Sequence, residues 1–147
     1  MYKRILVPVD GSTTSGLGLG AALRLAADQK AQLQILHIKD LGLAHRHYEG
    51  LVSITELERS AHEVAEKVLN DAKALATANG IDAELKLHET ETGEVARVIV
   101  EEAKRWHADL IVMGTHGRRG LKHMLLGSEA EGVVRMTPVP VLLLRGE

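Results

Sequence analysis

Short apolar runs alternate with longer amphipathic stretches along the chain. Runs with the length and character of buried strands cover residues 5–9, 33–38, 109–113 and 139–144. Apolar and charged residues alternate over residues 83–87, which predicts a further strand nearer an edge of its sheet. Each interval between consecutive runs is long enough to hold a helix.

Apolar residues at three- and four-residue spacing predict a helix in each of these intervals. The first follows the hydroxyl residues 12–14, which are candidate N-caps, and it carries glycines at positions 16, 18 and 20. Close packing on a neighbouring element would explain those glycines, which otherwise weaken a helix. The longest helix covers residues 51–78 and ends at an Asn-Gly pair. A third covers residues 95–106, and a short fourth covers residues 129–136.

This alternation predicts one α/β domain over residues 1–147, an open five-stranded parallel sheet with helices on both faces. Five strands suit the flavodoxin-like, Rossmann-like order 3-2-1-4-5, in which the first and fourth strands are neighbours where the winding reverses. Ligands of such sheets bind at that point, beyond the carboxyl ends of the strands. The segments expected to meet there are residues 10–14 and 114–128.

Composition excludes several classes of protein. The 147 residues include 18 Lys and Arg against 20 Asp and Glu, so no overall basic field favours nucleic acid. Cysteine is absent, which excludes disulfides and thiolate metal sites. No apolar run approaches the roughly 18 residues of a membrane span. We therefore expect a cytoplasmic protein with neither a nucleic-acid nor a membrane partner.

Residues 114–128 are rich in glycine and positive charge. Glycine stands at 114, 117, 120 and 127, and Lys or Arg at 118, 119 and 122. Glycine allows a backbone to approach a ligand closely, and the helix that follows offers N–H groups and a positive dipole end. These features suit a polyphosphate, and a solvated surface loop is the alternative interpretation.

A histidine pair at 45 and 47 resembles a metal site only superficially, because no carboxylate cluster or thiolate accompanies it.

Two other nucleotide motifs fit poorly. Gly11 and Gly16 have the spacing of a Walker A loop, but leucine occupies the lysine position. Gly16, Gly18 and Ala21 match the dinucleotide fingerprint, with Asp40 as its acidic residue. That match is weak, since its first glycine falls inside the predicted helix rather than in the turn before it.

The glycine loop matches a third motif. Gly114-x2-Gly117-x9-Gly127-Ser128 has the G-2x-G-9x-G-[ST] pattern of the ATP-binding universal stress proteins, and the chain resembles that family over essentially its whole length. Residues 5–12, 109–117 and 138–144 look like the family's first strand and turn, its fourth strand and loop, and its last strand.

The resemblance implies a site for ATP with Mg²⁺. In the ATP-binding branch the residue matching Asp10 contacts the ribose or phosphate region, Ile38 the adenine, and Met113 and Gly114 the ribose. Gly117, Gly127 and Ser128 would donate to phosphates, joined by the N–H of the next residue. The expected set comprises Pro8, Val9, Asp10, Ser12, Ile38, Met113, Gly114, His116, Gly117, Arg118, Gly127, Ser128 and Glu129. Glu129 departs from the family pattern: it could face solvent, help to hold Mg²⁺, or repel a γ-phosphate.

The expected function is therefore an ATP-binding stress-response protein that forms a homodimer through its last strand, residues 139–144. Hydrolysis should be absent or slow without a Walker lysine, although slow autophosphorylation on Ser128 or residues 12–14 stays open. The alternatives are an oxidoreductase-like dinucleotide domain using Gly16 to Ala21, and a dimeric scaffold whose loop binds nothing.

Overall fold

The computed structural model describes residues 1–42, 53–116 and 126–146. The strands are β1 (Arg4–Pro8), β2 (Gln32–Asp40), β3 (Glu84–Thr90), β4 (Leu110–Gly114) and β5 (Val141–Leu144). The helices are α1 (Thr13–Gln29), α2 (Ile54–Ala78), α3 (Val95–Trp106) and α4 (Ser128–Met136). All strand pairs are parallel, in the order β3-β2-β1-β4-β5, which confirms the predicted topology.

Helices cover both faces of the sheet, as predicted. Ile5, Val7 and Ile35 face α1 and α2, and they are fully buried. Leu6 and Leu36 point to the opposite face and pack with residues of α3 and α4. Because side chains alternate across a strand, one continuous apolar run supplies both cores.

β2, β3 and β5 differ by two or three residues at one end from their predicted bounds, whereas β1 and β4 are shifted by one residue. β2 continues to Asp40 because its last residues still pair with β3, Lys39 with Glu89 and Asp40 with Thr90. β5 begins at Val141 rather than at 139, following Pro140. Proline has no N–H to donate, so the ladder starts after it, although the Pro140 carbonyl still accepts from the Ile111 N–H at 3.0 Å.

The glycines of α1 have different surroundings. Gly18 is buried, and a Cβ added there would lie 3.4 Å from the backbone of Met113 and Gly114. At Gly16, no atom of the described residues outside the adjoining backbone of α1 lies within 4 Å of such a Cβ. Close packing on a neighbour therefore explains Gly18 but not Gly16.

Polar contacts link the amino-terminal ends of β1 and β4. The Asp109 carboxylate accepts from the N–H groups of Lys3 at 2.8 Å and Arg4 at 3.1 Å. The Arg4 guanidinium lies 4.2 Å from the ring centroid of Trp106, which is itself buried.

None of the helices in residues 1–42, 53–116 and 126–146 has the length and apolar character that crossing a bilayer requires.

Candidate functional site

A cavity of about 440 Å³ opens at the carboxyl ends of β1, β2 and β4. Its size is typical of small-molecule sites, and it lies where the strand order reverses. The predicted site residues in its lining are Pro8, Val9, Asp10, Ile38, Met113, Gly114, His116, Gly127, Ser128 and Glu129. Ser12 is outside the lining, and Gly117 and Arg118 lie outside the described residues, as do Arg119, Lys122, His45 and His47.

The first wall is the turn after β1. Asp10 Oδ1 accepts from the Ser12 N–H at 2.8 Å, and the Asp10 N–H donates to Ser15 Oγ at 3.2 Å. Gly11 takes a φ of +84° inside this turn. Asp10 thus closes the turn and also lines the cavity, so its contact within the turn is compatible with a contact to a ligand.

Ser12 caps α1 as predicted, but Ser15, which the predicted set omits, takes its place in the cavity lining. Ser12 is the N-cap of α1, its Oγ accepting from the Ser15 N–H at 3.2 Å. Ser15 is buried and reaches the cavity, while its hydroxyl donates to the Ser12 carbonyl at 3.2 Å. Nothing in the local pattern separates them, because both are hydroxyl residues at the start of one helix.

The second wall follows β4, where the chain passes very close to α1. A Cβ on Gly114 would lie 2.8 Å from the backbone carbon and oxygen of Thr14. The Thr115 carbonyl accepts from the Gly127 N–H at 2.6 Å, which joins the two ends of the segment between them. The Gly127 amide is therefore occupied by a protein acceptor, so its place in the site depends on close backbone approach rather than on donation.

The start of α4 presents the donor groups. The first intrahelical bond runs from the Glu131 N–H to the Gly127 carbonyl at 3.0 Å, and no side chain in the part of the chain that the structure describes caps the helix. The N–H groups of the first turn have no acceptor within an α-helix, and the dipole places partial positive charge there. Ser128 and Glu129 belong to this turn and line the cavity.

A third wall, absent from the predicted set, comes from α2. Leu57, Ser60, Ala61 and Val64 line the cavity from one face of that helix. Val95 and Ile99 of α3 also line it, from the helix on the other side of the sheet, so the lining contributed by α2 and α3 is largely apolar. The sequence assigns this stripe of α2 to the core, and only the partial exposure of Leu57, Ala61 and Val64 separates them from buried residues further along the helix.

Charged groups in the described lining are mainly acidic. Asp10, Asp40 and Glu129 contribute three carboxylates, and Lys39 contributes an ammonium. Lys39 is 8% exposed, and its Nζ lies 2.6 Å from Oε1 of Glu89. The hydrogen bond and positive charge of Lys39 hold the pKa of Glu89 below its usual range. Lys39 therefore already has an anionic partner.

His37 also lines the cavity and is buried. Its Nδ1 lies 2.8 Å from the Val9 carbonyl, and because a carbonyl can only accept, Nδ1 carries the proton. Across residues 1–42, 53–116 and 126–146, no three His, Asp or Glu side chains are grouped so that they could hold a metal ion.

A family model, the universal stress protein family, matches residues 1–145. The chain belongs to this family. It is 36% identical to the universal stress protein YxiE of Bacillus subtilis (strain 168), over 99% of this chain and 100% of that protein. A crystal structure of a universal stress protein family member from Burkholderia pseudomallei is 34% identical, with a TM-score of 0.78 over 97% of this chain and 96% of that one. A universal stress protein crystallised in complex with cAMP is 26% identical, with a TM-score of 0.69 over 98% of this chain and 97% of that one.

In this universal stress protein the residues of the dinucleotide fingerprint lie inside a helix rather than in the turn that precedes it. Gly16, Gly18 and Ala21 all lie within α1, and the last two are buried. A fingerprint glycine must form the turn between strand and helix to meet a pyrophosphate. Here residues 10–12 form that turn. Asp40, the acidic residue of the same weak match, does line the cavity at the end of β2.

Proposed function

We propose that this protein binds an adenine nucleotide, ATP with Mg²⁺, in the cavity between β1, β2 and β4, and acts as a nucleotide-dependent regulator of a stress response. The main support for this proposal is that two turns about a hundred residues apart line the same cavity, with Gly114 packed against the Thr14 backbone. A related protein in complex with cAMP supports the adenine class. The chain contains no cysteine that would need an oxidising compartment, which fits our expectation of a cytoplasmic protein.

The two ends of the cavity suit the two ends of a nucleotide. The apolar end between α2 and α3 would hold the base, beside Ile38. The first turn of α4 would hold phosphates through the Ser128 hydroxyl and backbone N–H groups, as helix starts commonly do. Asp10, Met113 and Gly114 also line the cavity, and we propose that they face the ribose.

The acidic lining favours Mg²⁺ as a companion of the nucleotide. A free triphosphate would meet Asp10, Asp40 and Glu129, whose carboxylates repel it. A divalent cation neutralises part of the phosphate charge and keeps water or carboxylate ligands. We therefore propose that Glu129 tolerates or supports the metal rather than blocking the site.

The proposed role is ligand binding without rapid hydrolysis. Within the described lining the basic side chain is Lys39, and it is paired with Glu89. Fast phosphoryl transfer needs cations placed on the transferred group and a residue that positions water. ATP would instead shift the population of conformations through its different affinity for each.

Filling the apolar end is expected to abolish nucleotide binding. Ala61 is partly exposed and lines the cavity, so Ala61→Phe places a ring where the base would lie. At a nucleotide concentration of 100 times Kd, wild type should gain about 2.7 kcal/mol, read as a thermal shift, and Ala61→Phe should gain none. The panel comprises ATP with and without Mg²⁺, ADP, AMP, cAMP and NAD.

Ala74→Phe is the matched control, because Ala74 is exposed on the same helix and outside the lining. It should respond to nucleotide as wild type does. A response to NAD alone would favour the dinucleotide alternative, and no response to any compound would favour the empty scaffold. Equal shifts for Ala61→Phe and wild type would reject the assignment of the base to this end.

We also propose a homodimer through the last strand, residues 139–144. β5 is an edge strand, and an apolar edge with open backbone groups can pair with a second copy. Leu142 is 40% exposed, and Val134 and Met136 of α4 are also exposed. The prolines at 138 and 140 limit how much of the edge can pair.

Charge on this edge is expected to separate the dimer. Wild type should show twice the 16.0 kDa chain mass in light scattering at micromolar concentration, and Leu142→Glu should show the chain mass. Leu75→Glu serves as the control, since Leu75 is equally exposed but lies on α2. A monomeric wild type, or a Leu142→Glu protein that stays dimeric, would contradict this arrangement.

A further inference from the structure

Thr14 lies behind the cavity, in the first turn of α1, and does not line it. We infer that Thr14 is a positioning residue that sets the distance between the phosphate end and the base end of the site. The inference rests on the proposed nucleotide function. It assigns a role to a residue that the predicted site does not include.

Two segments of the chain, the one that follows β4 and the one that follows β5, converge on this threonine. Its hydroxyl donates to the carbonyl of His116, the residue that precedes segment 117–125. Its backbone carbon and oxygen lie 2.8 Å from where a Cβ of Gly114 would stand. Its methyl carbon lies 2.7 Å from the corresponding position at Gly146, after β5. Polar and steric contacts together therefore fix the side chain.

The segment held by Thr14 is joined in turn to α4. The Thr115 carbonyl accepts from the Gly127 N–H at 2.6 Å, and the Thr115 N–H donates to the Leu144 carbonyl at 2.9 Å. Gly127 is the cap residue of α4, so the first turn of that helix follows any movement of residues 114–116. Loss of the hydroxyl contact would shift Ser128 and Glu129 relative to Asp10.

The proposed base end of the cavity does not depend on the contact between Thr14 and residues 114–116. Ile38 is carried by β2, and Ala61 and Val64 by α2, none of which contacts Thr14 through a described hydrogen bond. A misplaced phosphate end should therefore weaken ATP binding while leaving adenosine binding unchanged. Displacement of binding groups by a fraction of an ångström to 1 Å commonly costs up to about 100-fold.

Thr14→Val removes the hydroxyl at nearly constant shape, and Thr14→Ser keeps it. Titration calorimetry with ATP–Mg²⁺ and with adenosine should give an ATP affinity about 10-fold to 100-fold lower for Thr14→Val. The affinity for adenosine should not change. Thr14→Ser should bind ATP close to the wild-type level, which a purely steric role of the methyl group would not predict.

Thr13→Val is the matched control, because Thr13 is exposed in the same helical turn and carries the same change in helix propensity. Urea unfolding of each variant verifies that the fold is kept. Equal ATP affinity in Thr14→Val and Thr13→Val would overturn the inference, as would an equal loss of ATP and adenosine binding. A wild-type protein that binds neither compound would overturn the proposed function, and this inference with it.

Discussion

Alanine at position 114 is expected to destabilise the protein by about 3 kcal/mol and to eliminate nucleotide binding. The new Cβ would stand 2.8 Å from the carbon and oxygen of the Thr14 backbone, and 2.9 Å from its Cβ. Backbone atoms cannot rotate away as a flexible side chain can. Relief would require α1 to separate from the end of β4, which exposes apolar surface and opens the site. Urea unfolding and a nucleotide thermal shift measure the two effects.

Gly16→Ala is the control for this substitution, and its expected effect has the opposite sign. Gly16 is exposed in the same helix, and an added Cβ would have no neighbour within 4 Å. Alanine restricts the unfolded chain and favours helix, so stability should rise by about 0.5–1 kcal/mol. A Gly114→Ala protein as stable as wild type would show that the contact between α1 and β4 is not tight in solution.

The second large effect concerns a buried carboxylate away from the cavity. The Glu102 side chain is fully buried on α3, and its Oε1 accepts from Arg105 Nε at 2.7 Å and lies 3.2 Å from Nε2 of His88. Burial alone would raise the pKa of this carboxyl. The hydrogen bonds from Arg105 and His88, with the positive charge of Arg105, outweigh burial and hold the pKa of Glu102 below its usual range.

The lowered pKa of Glu102 fixes the direction of its pH dependence. Between the folded pKa and the unfolded value of about 4.3, the unfolded chain binds more protons than the folded one. The stabilisation is therefore complete above pH of about 4.3 and is lost as the pH falls through the lower folded pKa. Free energies of unfolding in urea, measured between neutral pH and about pH 3, should decline accordingly.

Glu102→Gln should cost about 2 kcal/mol at neutral pH, because it weakens two charge-assisted contacts while the half-exposed Arg105 regains water. As the pH falls below about 4.3, the difference in stability between the variant and the wild type should shrink. Glu101→Gln, at the exposed neighbouring position on α3, should follow the wild-type curve throughout. A constant difference between Glu102→Gln and wild type across this pH range would mean that folding does not lower the pKa of Glu102.

The pattern of apolar and polar residues along the chain was sufficient to predict the sheet and the position of the cavity. The apolar run at 5–9 and the alternation at 83–87 depend only on which residues stand side by side in the chain. Right-handed crossovers then leave few orders for five parallel strands, and the order fixes where β1 and β4 end together. The glycine spacing of residues 114–127 likewise identified the family through residue identity alone.

Which individual side chains line the cavity could not be deduced from the pattern of residues along the chain. Ser12 and Ser15 are indistinguishable as hydroxyl residues, yet only Ser15 lines the cavity. The stripe of α2 containing Ala61 and Val64 has the period of a core face, and its amino-terminal part instead borders the cavity. By residue type alone Lys39 is suited to a phosphate, but strand pairing brings Glu89 to it.

The sequence by itself therefore determined the element types, the topology and the neighbourhood of the site, since periodicity and turn chemistry are properties of adjacent residues. Only the tertiary structure decided that the Gly127 amide bonds to the Thr115 carbonyl, and that Thr14 contacts residues about a hundred positions away. Those contacts depend on how α1, β4 and α4 pack together. No local pattern carries that information, because one residue type can face a core, a cavity or solvent according to what the fold brings against it.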